Sequence, residues 1–369
     1  MVEYRKILTI SFDRTYAKES EGECNPMNIL VLCGGMTPER DVSIRSGRQI
    51  ADSLIQRGHR VCIMDLFFGY TKPYNHPLDV FDNDLSAVPD TLTTKAPDLA
   101  AVRASRPDGG ERNIGENVYD LCRAADIVFL ALHGEDGENG KLQAAFDLEG
   151  IRYTGTDTLG SALAMHKGVS RTLFEHVGIA VAPGILVRAA DVFTWDTFPC
   201  VVKPCSGGSS VATTIVTHTD DLQAALKQVF EWESEALIES FIPGREFSVG
   251  VLADEALPVI EICPKSGFYD YENKYQAGLA DEICPAELSH KDTRRLQEAA
   301  LLAHHALHLK VYSRTDFILT AEGTIYCLES NTLPGMTPTS LLPQEAHAAG
   351  LPFADLCEKI IAVSMEKYL

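Results

Sequence analysis

Apolar positions along this chain come in short unbroken runs and in helical spacings, and their succession lays out the elements. The run at 28–33 ends in Gly34-Gly35 and reads as a buried strand. Ile44, Ala51, Leu54 and Ile55 then recur on one helical face, with Asp41 or Ser43 as the expected cap and Gly58 as the stop. A strand at 61–64 completes a β-α-β unit, which predicts a parallel sheet whose ligand edge is the loop after the first strand. Between 69 and 117 Pro, Asp, Asn and Gly dominate, and an excursion with little core is expected. The apolar run 126–132 gives another strand, ended by the glycine-punctuated loop 133–140 and a helix at 141–149.

Further along, 159–177 is helical in two pieces with Lys167 between them. A strand at 200–203, the loop Pro204-Cys205-Ser206-Gly207-Gly208-Ser209-Ser210 and a β-rich stretch at 211–217 follow, then a helix at 220–232. Strands are expected at 247–253 and 258–263, and the one before them leads through Pro243-Gly244, a turn of the kind that serves as a domain hinge. The stretch 267–285, with Tyr269, Tyr271 and Tyr275, is a polar aromatic loop of lid length. A helix at 290–309 leads to strand runs at 313–320 and 324–328, joined by Ala321-Glu322-Gly323 as an antiparallel hairpin. A last helix is expected at 352–367.

Composition narrows the class of partner. At 369 residues the chain exceeds one ordinary core, so two or three domains are expected. A net charge of −20 argues against a nucleic-acid backbone as partner, while a bound nucleotide needs only a local basic pocket. No apolar run approaches a membrane span, so no membrane partner is expected. Ten scattered cysteines without C-x₂-C pairs fit a reducing cytoplasm better than a disulfide framework. Residues 1–26 lack an apolar leader core, and are either a short appended segment or precede a true start at Met27.

The hairpin carries the sharpest chemistry. Glu329 and Asn331 point to one face of their strand, and the hairpin brings Asp316 opposite them. Two carboxylates and an amide oxygen make a hard-oxygen site suited to Mg²⁺ with phosphate oxygens completing the shell, and Arg314 shares that face. An isolated acid pair is ordinarily a solvated hairpin face. Here Phe317, Ile318, Leu319, Ile325 and Leu328 imply a buried sheet, whose charges need partners. The Gly/Ser loop before Ser210 is not a Walker loop; it reads as a phosphate-covering flap or as an exposed turn, and Lys203 at the strand end weights the first. Glu39 either complements a helix dipole or receives a cationic amine, and the spacing leaves both open. His133 is a strand-end histidine or part of a cleft shared with the Glu39 loop. Phe241 and Ile242 serve core packing or an adenine slot, with Glu239 or a carbonyl as the acceptor.

Arg314-x-Asp316 followed by Glu329-x-Asn331-Thr332-x-Pro334-Gly335-Met336-Thr337 resembles the C-terminal motif of ATP-grasp ligases, and more narrowly the D-alanine–D-alanine ligase family. From Met27 onward the blocks GGMTPERDVS, LALHGEDGENGKLQ, VVKPCSGGSSV, LIESFIPGREF and FYDYENKYQAG resemble that family in order. The resemblance implies an α/β ATP-grasp fold, with an N-terminal parallel-sheet domain at 27–158 and two α+β domains, 159–243 and 244–369, enclosing ATP. By the same resemblance Lys167, Lys203 and Lys274 meet ATP phosphates under the Ser210 flap, Glu239 and Ile242 hold adenine, and Glu246 holds ribose. Asp316, Glu329 and Asn331 bind two Mg²⁺ or Mn²⁺ ions. Glu39, linked to Ser209 and Tyr275, takes the ammonium of the first D-alanine, and His133 stands by its carboxylate. Ser340 and the Leu341 backbone take the second carboxylate, while Arg314 and the Gly335 amide stabilise the reacting charge.

The implied reaction is ATP-dependent joining of two D-alanine molecules through an acyl phosphate, by a cytoplasmic homodimer supplying peptidoglycan precursor. Alternatives are D-lactate or D-serine as the second substrate, or an ATP-grasp protein that binds nucleotide without ligation. Ala212 stands where the family commonly has glycine.

Overall fold

A computed structural model describes residues 25–89, 97–208, 212–265 and 280–369 of the chain. Its strands form three sheets among the described residues. The first is parallel, in the order β2-β1-β3, from β1 (Asn28–Cys33), β2 (Arg60–Asp65) and β3 (Ile127–Leu130). The second is antiparallel, in the order β4-β7-β5-β6, from β4 (Gly184–Arg188), β5 (Cys200–Pro204), β6 (Thr214–Val216) and β7 (Glu235–Ser240). The third contains β8 (Arg245–Leu252), β9 (Glu255–Ala256), β10 (Ile260–Pro264), β11 (Ala280–Ile283), β12 (Tyr312–Leu319) and β13 (Ile325–Asn331). Its order is β11-β10-β8-β12-β13, with β9 paired to β8.

The apolar run of β1 is buried from both faces, as expected for a central parallel strand. The helix after it, Arg40–Gln56, begins ahead of the expected caps: Glu39 is its N-cap residue, and Asp41 and Ser43 lie inside its first turn. Ser43 is not free to cap, because its hydroxyl donates to the Ala131 carbonyl (2.7 Å) and accepts from the Gly34 amide (2.8 Å), tying the loop to β3. Gly34 has φ +75°, and a Cβ there would overlap Asp65, whose carboxylate pairs with the buried Arg40 guanidinium.

The stretch 69–117 contributes more core than its composition predicts. Tyr70, Val80, Phe81 and Val88 are buried in the first sheet's core, and two short helices, Leu99–Ser105 and Val118–Ala124, flank the last part of it. Four apolar side chains scattered among turn residues carry no period, so the pattern hides them. The two-piece helix resolves into Thr158–Met165 and Lys167–Val177, which pack with Phe174 and Ala164 into the core of the third sheet beside the helix His290–Ala306. The last helix, Phe353–Glu366, does the reverse and buries Leu356, Cys357, Ile360 and Ile361 in the core of the first sheet.

The Pro243-Gly244 turn carries the chain from β7 in one sheet to β8 in another. Gly244 is pressed against Ile318 and the Leu319 carbonyl, 2.5 and 2.6 Å from where a Cβ would lie. The expected hairpin is β12 and β13, with Gly323 at φ +83° in its turn.

Candidate active site

The register of the hairpin sets Asp316 opposite Glu329 and Arg314 opposite Asn331, with a bulge between Asp316 and Phe317. Residues paired this way share a sheet face, so all four side chains emerge together. On the other side of β12, Asp316 faces Ser248 of β8. Asp316 is buried and heavily bonded. Its Oδ1 accepts from Ser248 Oγ (2.6 Å) and Arg314 Nε (3.0 Å), and its Oδ2 from Arg314 Nη2 (2.9 Å) and Asn331 Nδ2 (3.3 Å). Glu329 lies 3.1 Å from the Lys167 ammonium. Cationic groups thus already neutralise both acids. Two carboxylates and an amide oxygen on one face are a donor set that fits Mg²⁺ or Mn²⁺.

Lys167 is the first residue of its helix, and its ammonium also donates to the Gly207 carbonyl (2.8 Å), reaching the base of the Gly/Ser loop. Lys203, at the end of β5, pairs with Glu239 of β7 at 2.5 Å. Burial pulls the Lys203 ammonium down, but the Glu239 charge against it leaves it above the ordinary lysine value. Arg171 approaches the other Glu239 oxygen at 3.4 Å. Glu246 stands on β8 beside Ile318, at the hinge end of the third sheet. Ile242 is in the hinge itself.

A cavity of about 380 Å³ gathers the remaining residues: Glu39, His133, Lys167, Arg314, Glu329, Asn331, Gly335, Ser340 and Leu341. Lys203, Glu239, Ile242 and Glu246 lie outside that cavity, around the junction of the second and third sheets. Ser209, Ser210, Lys274 and Tyr275 lie outside the described residues. The network expected among Glu39, Ser209 and Tyr275 therefore shows one member, Glu39. Its carboxylate comes within 3.1 Å of where a Gly208 Cβ would be, so the loop base passes directly over it.

His133 is buried with both ring nitrogens engaged. Nδ1 donates to the Leu333 carbonyl (3.0 Å), which leaves Nε2 to accept from the Ser46 hydroxyl (3.2 Å). Burial holds its pKa below the usual histidine value, so the ring is neutral at neutral pH. Ser340 Oγ accepts from the Thr337 amide (3.0 Å) and sits 2.8 Å from Thr337 Oγ1. The backbone at Gly335 passes so close that a Cβ would lie 2.6 Å from this hydroxyl, which explains glycine at that position. Ser340 is the N-cap of a helix, Leu341–Ala348, that the sequence pattern did not reveal, and its hydroxyl leaves the first-turn amides uncapped.

One organising residue was also missed. Glu138 accepts the Gly134 amide (2.8 Å) through Oε2 and the Thr332 and Leu333 amides (3.1 and 2.9 Å) through Oε1. A single buried carboxylate thereby ties the loop after β3 to the loop after β13. Burial, reinforced by the Glu39 charge, pushes it up to about 7. Its position in an acidic, glycine-rich loop concealed it among surface-like neighbours.

A parallel-sheet unit followed by two antiparallel sheets, with an acid-lined hairpin facing the helix-end Lys167 and a buried Lys203–Glu239 pair on the neighbouring sheet, defines an ATP-grasp ligase. Residues 28–156 match the family model for the D-ala D-ala ligase N-terminus, and residues 173–362 match that for the D-ala D-ala ligase C-terminus. The chain belongs to the D-alanine–D-alanine ligase family. It is 42% identical over 352 residues to the D-alanine–D-alanine ligase of Lacticaseibacillus casei, covering 93% of this chain and 97% of that one. It is 40% identical to that of Pediococcus pentosaceus, covering 93% and 99%. Among solved structures it resembles D-alanine–D-alanine ligase from Bacillus anthracis complexed with ATP, with TM-score 0.71, 29% identity and 92% and 98% of the two chains covered. It also resembles a D-Ala:D-Ser ligase from Enterococcus faecalis, with TM-score 0.69, 29% identity and 92% and 100% covered.

Proposed function

We propose that the chain joins two D-alanine molecules into a dipeptide at the expense of ATP, releasing ADP and phosphate, as a step toward peptidoglycan precursor. The observation that carries this reading is the shared face of Arg314, Asp316, Glu329 and Asn331, set against Lys167, with Arg314, Glu329 and Asn331 lining a cavity large enough for two small amino acids. Use of ATP fits a cytoplasmic location, and the family points to a homodimer.

Asp316, Glu329 and Asn331 would hold two Mg²⁺ or Mn²⁺ ions, which when bound neutralise phosphate charge. Lys167 and Lys203, with Lys274 and the Ser210 flap, orient the ATP phosphates. Glu239 and Ile242 receive adenine, and Glu246 receives the ribose. Glu39 binds the ammonium of the first D-alanine and leaves its carboxylate toward the γ-phosphate. Phosphorylation converts that carboxylate into an acyl phosphate, a far better electrophile. Arg314, turning from Asp316 toward the transferring group, and the Gly335 amide meet charge that grows in the transition states. Ser340 and the Leu341 amide take the carboxylate of the second D-alanine at a helix N-terminus, aiming its amine at the acyl carbon. His133, a neutral ring fixed by Leu333 and Ser46, shapes the first subsite. Ser209 and Tyr275 are proposed to close over Glu39 and exclude water from the acyl phosphate.

Phosphate release from ATP is measured with D-alanine, L-alanine, D-serine and D-lactate, singly and in pairs. Turnover with D-alanine alone, and none with L-alanine alone, is expected. Turnover only when D-serine or D-lactate accompanies D-alanine replaces this reading with a mixed-substrate ligase. ATP binding without phosphate release under any pairing replaces it with a binding protein.

A further inference from the structure

Outside the catalytic face, one cluster of side chains has a composition that neither ATP nor an amino acid requires. His166, between the helices Thr158–Met165 and Lys167–Val177, places Nε2 3.0 Å from Glu235 Oε2 on β7. Cys205, just past β5, is buried beside them, and one ligand atom from each of the three lies within 4.8 Å of the others. We propose that His166, Cys205 and Glu235 form a binding site for a thiophilic divalent ion of the Zn²⁺ class, and that its occupancy locks the base of the phosphate flap against the Lys167 helix.

The donor set selects the ion. Thiolate and imidazole favour Zn²⁺, Co²⁺ or Cd²⁺ and disfavour Mg²⁺, so this site differs in kind from the oxygen cluster at Asp316 and Glu329. Bond lengths of ~2.0–2.3 Å put tetrahedral ligand atoms roughly 3.3–3.8 Å apart, so a contraction of about 1 Å closes the triad and leaves a fourth position for water. Two of the three ligands are already oriented. Glu235 has its Oε1 held by Arg188 at 2.6 and 2.9 Å, which turns Oε2 toward the histidine. The Cys205 amide donates to Glu233, and its carbonyl accepts the Lys167 amide at 2.7 Å, so the thiol is held in place from both sides of its own backbone.

The cost of binding is small and identifiable. Ligation through Nε2 moves the ring proton to Nδ1, which now accepts weakly from the Val169 amide at 3.3 Å. That amide keeps its backbone acceptor, the His166 carbonyl at 2.9 Å, while the new Nδ1–H turns to water, which the partly exposed ring allows. The sulfur–metal bond forms as the Cys205 S–H proton leaves to solvent.

The consequence follows from chain position. His166 is joined to Lys167, whose ammonium donates to Gly207, and Cys205 lies two residues before Gly207. An ion bridging His166 and Cys205 ties the loop base at 205–207 to the helix that begins at Lys167, restricting how far the two can separate when phosphates bind. That part of the inference rests on the nucleotide role given to Lys167; the ion site itself does not.

The test keeps the two apart. Co²⁺ is titrated into the full chain without nucleotide, and the thiolate-to-cobalt charge-transfer absorption is followed. One equivalent producing that band, displaced by Zn²⁺ and unaffected by excess Mg²⁺, is expected. Cys205→Ser should remove the band, and His166→Asn or Glu235→Gln should weaken binding ~10-fold or more. Absence of the band in the wild-type chain, or its persistence in Cys205→Ser, overturns the site. MgATP affinity is then measured with and without one equivalent of Zn²⁺. Weaker MgATP binding in the wild type but not in Cys205→Ser is expected. Unchanged affinity with the band present overturns the clamp while leaving the ion site, and absent MgATP binding in metal-free protein overturns the nucleotide reading.

Discussion

Glu345 shows how much one side chain can be asked to endure beside an active site. It is fully buried in the helix Leu341–Ala348, and among the described residues neither carboxylate oxygen has a well-formed hydrogen bond, with the Gly250 amide close beside it. Its Oε2 lies 2.5 Å from where a Cβ on Gly250 would be, so β8 accommodates it only because that position is glycine. Burial raises its pKa well above the usual carboxylate value. The folded state therefore holds the proton more tightly than the unfolded chain. Its contribution is favourable below the unfolded pKa, near 4.5, and is lost as pH rises toward the folded value. Glu345→Met, similar in length and unable to titrate, should leave stability within about 1 kcal/mol near pH 5 and exceed the wild type by ~1–3 kcal/mol at pH 8. Urea midpoints at the two pH values measure this, and parallel pH dependence in both proteins would remove the claim. Glu138 is the opposite case, a buried acid with its oxygens filled by three backbone amides. Glu138→Gln sets an NH₂ against one of those donors, and a loss of ~1–3 kcal/mol is expected. A raised KM for D-alanine should accompany it, because the loops carrying His133 and Gly335 lose their common tie; an unchanged KM would limit Glu138 to stability.

At the scale of elements, the hairpin was the most legible part of the chain because three signals coincide there. Alternation set the faces, Gly323 marked the turn, and the charges stood out against apolar neighbours. The helix Leu341–Ala348 was illegible for the converse reason: Pro343 stands in its first turn, where a missing amide costs nothing but reads as a breaker. β4 was also overlooked, since Gly184–Arg188 is short and only half-buried. The start of the helix Arg40–Gln56 was misplaced because a cap-type residue, Ser43, spends its hydroxyl on a neighbouring strand. Of the site, the strand-borne residues were readable, whereas Glu138 depends on three amides that only the fold assembles. Within the hairpin the bulge after Asp316 and the pairing with Glu329 make a prediction about charge. Glu329→Gln keeps volume but removes the partner of Lys167 and one of the two proposed metal carboxylates. A fall in kcat of about 100-fold or more, equivalent to ~3 kcal/mol, is expected with an unchanged circular dichroism spectrum. Near-native turnover at saturating Mg²⁺ would exclude Glu329 as a ligand.

Across the whole molecule the chain does not finish each core before beginning the next. The last helix, Phe353–Glu366, returns to the first sheet and buries Leu356, Cys357, Ile360 and Ile361 in its core, against β3 and the helix Arg40–Gln56. Beyond it, Lys367 donates to the carbonyls of Gly155 (2.6 Å) and Tyr153 (3.0 Å) and lies over the Tyr153 ring at 4.3 Å. Arg57 pairs with Asp355, and His59 stands 2.8 Å from Glu358, adding polar ties along the same seam. Burying each of the larger apolar side chains contributes ~1.5–3 kcal/mol, so the helix supplies an amount comparable with the ~5–15 kcal/mol net stability of an ordinary domain. The parallel sheet that carries Glu39 and His133 therefore depends on residues more than 200 positions away in sequence for its order. Ile360→Ala, a truncation inside this core, should cost ~2–5 kcal/mol locally. Hydrogen exchange read by mass spectrometry should show faster exchange throughout 28–33, 60–65 and 127–130, with 200–204 and 235–240 unchanged, because the second sheet has its own core. Equal acceleration in both sheets would mean that the molecule unfolds as one unit. No change in the first sheet would mean that the helix is an appended layer, and that the loops after β1 and β3, proposed to bind the first substrate, are held without it.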